Sequence, residues 1–186
     1  MKNVLIVGGG AAGFFCAISL AELSAENKII ILESGKKTLR KVKVSGGGRC
    51  NITHDCFDPK LLSTHYPRGQ KELIGPFFKW QPKDMIHWIE ANGVPTKIEK
   101  DGRVFPRSNS SQSVIDCLEN IARKKQIEIR KETPVRSFTR NESNKQWDLE
   151  LENGNLLNAD CICIASGSIK GSRLVDSIEK LGHSVN

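Results

Sequence analysis

The chain has 186 residues, enough for one domain or slightly more at roughly 150 residues per domain. Hydrophobic residues make up 38% of it and glycine adds 16 positions, an ordinary globular share that excludes disorder. The net charge is +7, no apolar run approaches the roughly 18 residues of a membrane span, and the apolar N-terminal stretch is too short for a secretory leader. A cytoplasmic protein with no membrane partner is expected.

The first element is a strand, Val4–Val7, which runs directly into Gly8-Gly9-Gly10-Ala11-Ala12-Gly13. From Phe14 to Leu23 the chain is apolar on nearly every face and reads as a buried helix. A second apolar strand, Ile29–Leu32, ends at Glu33, and this strand–helix–strand spacing predicts a parallel pair. Residues 34–52 are basic, then glycine-rich, without periodicity. Residues 53–81 hold Pro67, Gly69, Gly75 and Pro76 and read largely as loop.

An amphipathic helix over 83–92 stops at Gly93. Asp101-Gly102 turns between short strands at 96–99 and 103–105, and Ser113 caps a helix running to about Lys125. Strands at 128–130, 135–139 and 147–151, with a return after Asn153-Gly154, predict a small antiparallel meander. The apolar run 161–165 then predicts a buried parallel strand in which Cys161 and Cys163 are core residues. A final helix covers 172–181.

Gly8-x-Gly10-x-x-Gly13 lies between a strand and a helix, with an acidic residue closing the next strand. Gly8 allows a tight turn, Gly10 lets a pyrophosphate approach the backbone, and Gly13 lets helix pack on strand. Ala11 and Ala12 open a helix whose free N–H groups face an anion. Glu33 is placed to accept ribose hydroxyls. These features predict a dinucleotide site, but the loop alone leaves NAD and FAD open. The later meander followed by Ala165-Ser166-Gly167 favours FAD, because it is similar to the strand and Ala-Thr-Gly turn of glutathione-reductase-type proteins, with Ser166 in place of threonine.

Lys36, Lys37, Arg40, Lys41, Lys43 and Arg49 form a basic cluster suited to an anionic partner. No Phe, Tyr or Trp lies between Ser34 and Asp55, so this cluster lacks the stacking groups of a nucleic-acid surface, and no nucleic-acid partner is expected of the chain. The stretch Arg40-Lys41-Val42-Lys43-Val44-Ser45-Gly46-Gly47-Gly48-Arg49-Cys50-Asn51 closely resembles the signature of the BaiN/YhiN-like flavoproteins. These are NAD(P)/FAD-dependent oxidoreductases that include aminoacetone oxidases. Asp101–Pro106, Val135, Ala165-Ser166-Gly167 and Leu181-Gly182-His183 match in the same order.

The resemblance implies a three-layer α/β, Rossmann-like FAD-binding domain of the glutathione-reductase type, with a small antiparallel β-meander. It implies FAD contacts at Gly8, Gly10, Ala12, Glu33, Arg40, Lys41, Gly46 and Val135, and a cofactor-facing loop over Ser45, Gly46, Gly47, Gly48, Arg49, Cys50 and Asn51. NAD(P)H and a small-molecule substrate are implied partners. Relatives of this type run to about twice the length, so residues 1–186 correspond to an N-terminal FAD-binding portion, and a partner chain supplying the missing half is one expectation. A non-catalytic FAD-binding fragment is one alternative, and an NAD-dependent dehydrogenase, which rests on the glycine loop alone, is a weaker one.

No catalytic residue is legible. Arg49 could lower the pKa of Cys50, although packing against cofactor or core explains that thiol more simply. His54 and His65 read as loop histidines without visible partners. The grouping Cys50, His54, Cys56, His65 matches no common zinc spacing, and no metal is expected.

Overall fold

The computed structural model describes residues 1–168 and 172–185. In chain order the elements begin with β1 (Asn3–Val7), α1 (Ala11–Leu23), β2 (Lys28–Leu32), α2 (Arg40–Val44), a glycine turn over Ser45–Gly48, β3 (Thr53–His54), α3 (Pro59–Thr64), α4 (Gln70–Lys79) and α5 (Pro82–Ala91). They continue with β4 (Thr96–Ile98), β5 (Arg103–Pro106), α6 (Ser111–Lys124), β6 (Glu128–Arg130), β7 (Val135–Asn141), β8 (Gln146–Leu151), β9 (Leu156–Ala159), β10 (Cys161–Ile164) and α7 (Leu174–Lys180). The chain divides into two compact units: residues 1–41 with the described part of 118–186, and residues 42–117.

The first unit is built on a sheet ordered β10-β1-β2-β6, every pair of which is parallel. Strands buried on both faces read as continuous apolar runs, and β1 and β2 do so. Val4, Ile6, Ile29 and Ile31 alternate with Leu5, Val7, Ile30 and Leu32, and all eight are buried. The second set packs with Phe138, Leu149, Ala159 and Leu174, which come from the β7-β8-β9 meander and α7. α1 packs on β1 and β2. The predicted three-layer α/β architecture with its antiparallel meander is the one observed.

Three expectations for this unit need correction. Strand 128–130 does not belong to the meander: it is β6, paired in parallel with β2 at Ile30–Leu32. Sequence proximity to β7 suggested a hairpin, but the chain between them supplies no tight turn. Second, β10 is an edge strand and is not fully buried, since Cys161 is exposed and Ile162 to Ile164 are half-buried. Third, α1 buries only the face carrying Gly13, Phe14, Ala17 and Ile18, and Leu23 is 84% exposed. An all-apolar composition cannot say which face a single sheet will cover.

The second unit holds an antiparallel sheet ordered β3-β5-β4. The Asp101-Gly102 turn joins β4 to β5 as predicted, with Gly102 at φ +80°. Residues 53–81 are not largely loop. Asp58 caps α3 by accepting the Leu61 amide at 2.7 Å, with Pro59 in the first turn, a start signal that the prolines and glycines around it obscured. α4 begins after Gly69, which takes a left-handed φ of +79°, and tolerates Pro76 inside it. That proline forfeits one backbone hydrogen bond, and its pairing with Gly75 is what made the segment look like a breaker. Glycine at 102 is required sterically as well, because a Cβ there would collide with His54 and Asp55.

Candidate cofactor site

The four parallel strands end on the same side of their sheet, and each carboxyl end carries predicted site residues. Gly8 to Gly13 follow β1, Glu33 follows β2, Val135 follows β6 by way of residues 131–134, and Ala165-Ser166-Gly167 follow β10. Open parallel sheets bind ligands in this position because helix N-termini and loops converge there.

Local geometry explains each residue type. The Gly8 amide donates to the Leu32 carbonyl at 2.8 Å. Its φ is +116°, and a Cβ there would run into the Ala165 carbonyl and the Ser166 backbone, so the two sequence-predicted motifs meet at this glycine. A Cβ on Gly13 would collide with the Gly8 carbonyl and crowd Ile6, which accounts for glycine where helix meets strand. Gly10 differs from both. Its φ is −88° and a Cβ there meets nothing within 4 Å, so no protein contact demands glycine. That open approach, beside an α1 N-terminus with no side-chain cap and no acidic residue in its first turn, fits a phosphate drawn onto free N–H groups.

Glu33 is already engaged. Its Oε2 accepts the Gly9 amide at 2.9 Å and its Oε1 accepts the Gly35 amide at 2.7 Å. A carboxylate has about four lone-pair sites, so room remains for ribose hydroxyls. Leu39, a residue that sequence reasoning missed, is buried at φ +55° and donates its amide to the Gly9 carbonyl at 2.8 Å. A left-handed leucine carries no sequence signal. Thr38 beside it donates its hydroxyl to Glu119 at 2.8 Å.

Arg40 and Lys41 open α2 with exposed side chains. The Lys41 Nζ lies 3.2 Å from where a Cβ on Gly167 would stand, so a cation borders the Ala165–Gly167 turn. The Glu132 and Thr133 amides donate to Gly35 and Glu33 carbonyls at 3.1 and 2.9 Å. These bonds tie the approach to Val135 onto the end of β2.

Ser45 to Asn51 belong to the second unit. Gly46, Gly47 and Gly48 have φ of +55°, +68° and +85°, a run that only glycine adopts freely. Gly46 is also sterically required, since a Cβ would come within 2.7 Å of the Asn51 amide. Gly47 and Gly48 face open space. The Ser45 hydroxyl donates to Val42 O at 2.8 Å. With its amide nitrogen turned toward two carbonyls, Asn51 donates to Thr53 at 2.9 Å and Val104 at 3.3 Å.

Cys50 is not an activated thiol. It is buried at φ +61°, and burial pushes its pKa up, only partly offset by a hydrogen bond with Ser45. Arg49 is engaged elsewhere, 2.7 Å from Glu99 and with its guanidinium 4.0 Å from the Phe105 ring centre. His54 has partners that the sequence did not reveal, with Nε2 3.0 Å from the Asp101 carbonyl and Nδ1 3.2 Å from Asp55. Among the described residues no three His, Cys, Asp or Glu side chains converge as a metal site. No helix among them is long and apolar enough to cross a membrane.

A glycine-loop Rossmann unit with a meander beneath its sheet defines a dinucleotide-binding fold of the flavoprotein type. Residues 2–182 match the family described as HI0933-like protein Rossmann domain, and the chain belongs to that family, whose Rossmann-type domain binds FAD. It is 29% identical over 167 residues to a ribosomal RNA dihydrouridine synthase of Escherichia coli K12, covering 90% of this chain and 40% of that protein. It is 28% identical over 129 residues to a 3-dehydro-bile acid delta(4,6)-reductase of Clostridium scindens, covering 69% of this chain and 31% of that protein. The chain therefore spans two fifths or less of these two relatives. Among solved structures, Thermovibrio ammonificans THI4 aligns over 100% of this chain and 63% of its own, with a TM-score of 0.66 at 13% identity, a likeness of fold.

Proposed function

We propose that the chain is the FAD-binding part of an oxidoreductase acting on a carbon–carbon double bond conjugated to a carbonyl. The observation that supports the cofactor assignment is the convergence of the glycine loop, Glu33, the approach to Val135 and Ala165–Gly167 at the carboxyl ends of one parallel sheet. The substrate class rests on the two curated relatives. One by name makes dihydrouridine in ribosomal RNA and the other reduces a 3-dehydro-delta(4,6) bile acid. Each name describes saturation of a double bond in conjugation with a carbonyl.

FAD, when bound, supplies two-electron chemistry. In this reading Gly8, Gly10, Ala11, Ala12 and Gly13 present backbone N–H groups to the pyrophosphate, and Glu33 accepts ribose hydroxyls. Arg40 and Lys41 offset phosphate charge, and Ala165, Ser166 and Gly167 close the loop's far side. Val135 and the turn Ser45, Gly46, Gly47, Gly48, Arg49, Cys50 and Asn51 are cofactor-facing by resemblance. NAD(P)H as reductant, further sequence or a partner chain completing the substrate side, and a cytoplasmic location belong to the same proposal.

Non-catalytic FAD binding is the second reading. Heat-released cofactor from the purified chain tests the first assignment. Flavin fluorescence is expected, and nicotinamide absorbance without flavin would overturn it.

A further inference from the structure

β10 sends alternate side chains to opposite faces of its sheet. Ile162 and Ile164 pack against the core shared with the meander and α7, so Cys161 and Cys163 face the other side. That is the side α1 covers. In register Cys163 lies beside Ile6 of β1, and Ile6 is the side chain that a Cβ on Gly13 of α1 would crowd. Cys16 stands three positions after Gly13, one turn further along the same helix face. The two sulfurs meet within hydrogen-bonding reach. Both residues are half-buried and both thiols are free.

Other thiols are placed differently. Cys117 donates to the Asn92 carbonyl at 3.5 Å, Cys50 hydrogen bonds with Ser45, and Cys161 is exposed. Packing as a small apolar group accounts for a single buried cysteine. Two cysteines brought sulfur to sulfur from positions about 147 residues apart make a dithiol, with chemistry that neither has alone.

We propose that Cys16 and Cys163 are a redox pair that closes to a disulfide on meeting a low-molecular-weight disulfide such as oxidised glutathione, stapling α1 to β10. Cys16 holds its proton, its pKa pushed up to about 11 by burial and by Cys163, so Cys163 opens the exchange. The Cys163 thiolate attacks one sulfur of the oxidant, whose S–S bond breaks and releases one small thiolate. Cys16 then gives up its proton and attacks the Cys163 sulfur, and the mixed disulfide releases the second small thiolate. Two protein thiols are oxidised, one small disulfide is reduced to two thiols, and the two protons pass to the leaving thiolates.

α1 begins at the glycine loop and β10 runs into Ala165, against whose carbonyl a Cβ on Gly8 would press. The staple therefore joins the two elements that meet at that point. It also closes a loop that spans most of the chain, and the freedom so removed from the unfolded state stabilises the folded one.

The test is peptide mapping of the unaltered 186-residue chain after incubation with oxidised glutathione at pH 8. A Cys16–Cys163 cross-linked peptide is expected, with the melting temperature raised by about 5–10 °C and both changes reversed by dithiothreitol. Cys161→Ser, which removes the exposed thiol, should leave the cross-link and the shift unchanged. Cys163→Ser should abolish both, and Cys16→Ser should trap glutathione on Cys163. A pair that stays reduced, a cross-link between other cysteines, glutathione retained on Cys163 of the unaltered chain, or a cross-link without a rise in melting would each overturn the proposal. The unaltered chain carries the decisive measurement, so a serine variant that fails to fold does not obscure it. Neither readout uses flavin, which keeps failure here separate from failure of the cofactor site.

Discussion

Glu33 Oε2 accepts the Gly9 amide at 2.9 Å. The acidic residue at the end of β2 thus holds the glycine loop before any ligand arrives. With Oε1 on Gly35, one carboxylate pins the backbone on both sides of the candidate adenosine pocket. A residue expected only to greet a ribose is also part of the scaffold.

Glu33→Ala should therefore do two things. FAD affinity should fall about ten- to a hundredfold through loss of charge-assisted bonds. Two backbone amides also lose their acceptor, so stability should drop by about 1–3 kcal/mol. Glu33→Gln keeps an acceptor oxygen and should recover part of the stability but little of the affinity. Parallel urea and flavin titrations check both, and an unchanged flavin titration would remove Glu33 from the site.

Gly10 and Gly13 should separate ligand from fold. Gly13→Ala forces a methyl into the Gly8 carbonyl and should unfold or severely destabilise the first unit. Gly10→Ala meets no protein atom, so its thermal melting should shift only slightly while FAD binding is lost. If both variants bound FAD normally, the pyrophosphate would have to lie elsewhere.

Cysteine chemistry follows burial. In the native chain Cys50 should react slowly with thiol reagents at pH 7 to 8, because burial raises its pKa. Cys16 is pushed up to about 11 by burial and by Cys163 and should behave the same way. Exposed Cys161 should react first. Mass mapping of alkylated native protein reads the order, and early labelling of Cys50 would contradict the geometry.

Acid should loosen the second unit through Glu90. The Thr96 hydroxyl and amide hold the Glu90 carboxyl below the usual carboxylate range. A depressed folded-state pKa contributes stability that is present above the unfolded value and lost as pH falls through the folded one. Glu90→Gln should lower stability at neutral pH and flatten its decline in acid. Melting curves from pH 7 to pH 3 provide the comparison.

Turnover is not expected from this chain alone. In the proposed reading the residues gathered at the first unit's sheet serve the adenosine and pyrophosphate end of FAD, whereas redox chemistry needs the flavin ring held against substrate with water controlled. Substrate-dependent NAD(P)H or oxygen consumption by the verified 186-residue protein would show that a complete active site is present.

The sequence made the first unit's sheet legible because its signals are local. Apolar runs bounded by glycine and an acidic residue define β1, α1 and β2 within a few residues of where they lie. β6 was misassigned because parallel pairing with β2 leaves no mark on neighbouring residues. α3 and α4 were missed because Pro59, Gly69, Gly75 and Pro76 serve helix starts and tolerated interruptions, and a proline cannot announce which. At the site, the glycines and Glu33 were readable from residue type. Leu39 at φ +55° and the Arg49–Glu99 pair were not, since one is a backbone event without a preferred residue and the other joins positions remote in sequence.

The pairing of β1 with β10 joins Val4 to Cys161, and it sets a timetable for folding. β1, α1 and β2 can associate early, but β10 at the sheet's other edge arrives only after about 130 further residues have been made, at a loop-closure cost that slows such contacts. The second unit is continuous in sequence from 42 to 117 and has no such wait. On the ribosome it can settle first, while the nascent β1 holds an open flank of unpaired backbone. The stage most exposed to misassembly therefore falls between the completion of residue 117 and the docking of β10, and a chaperone or a slowed translation rate would act there.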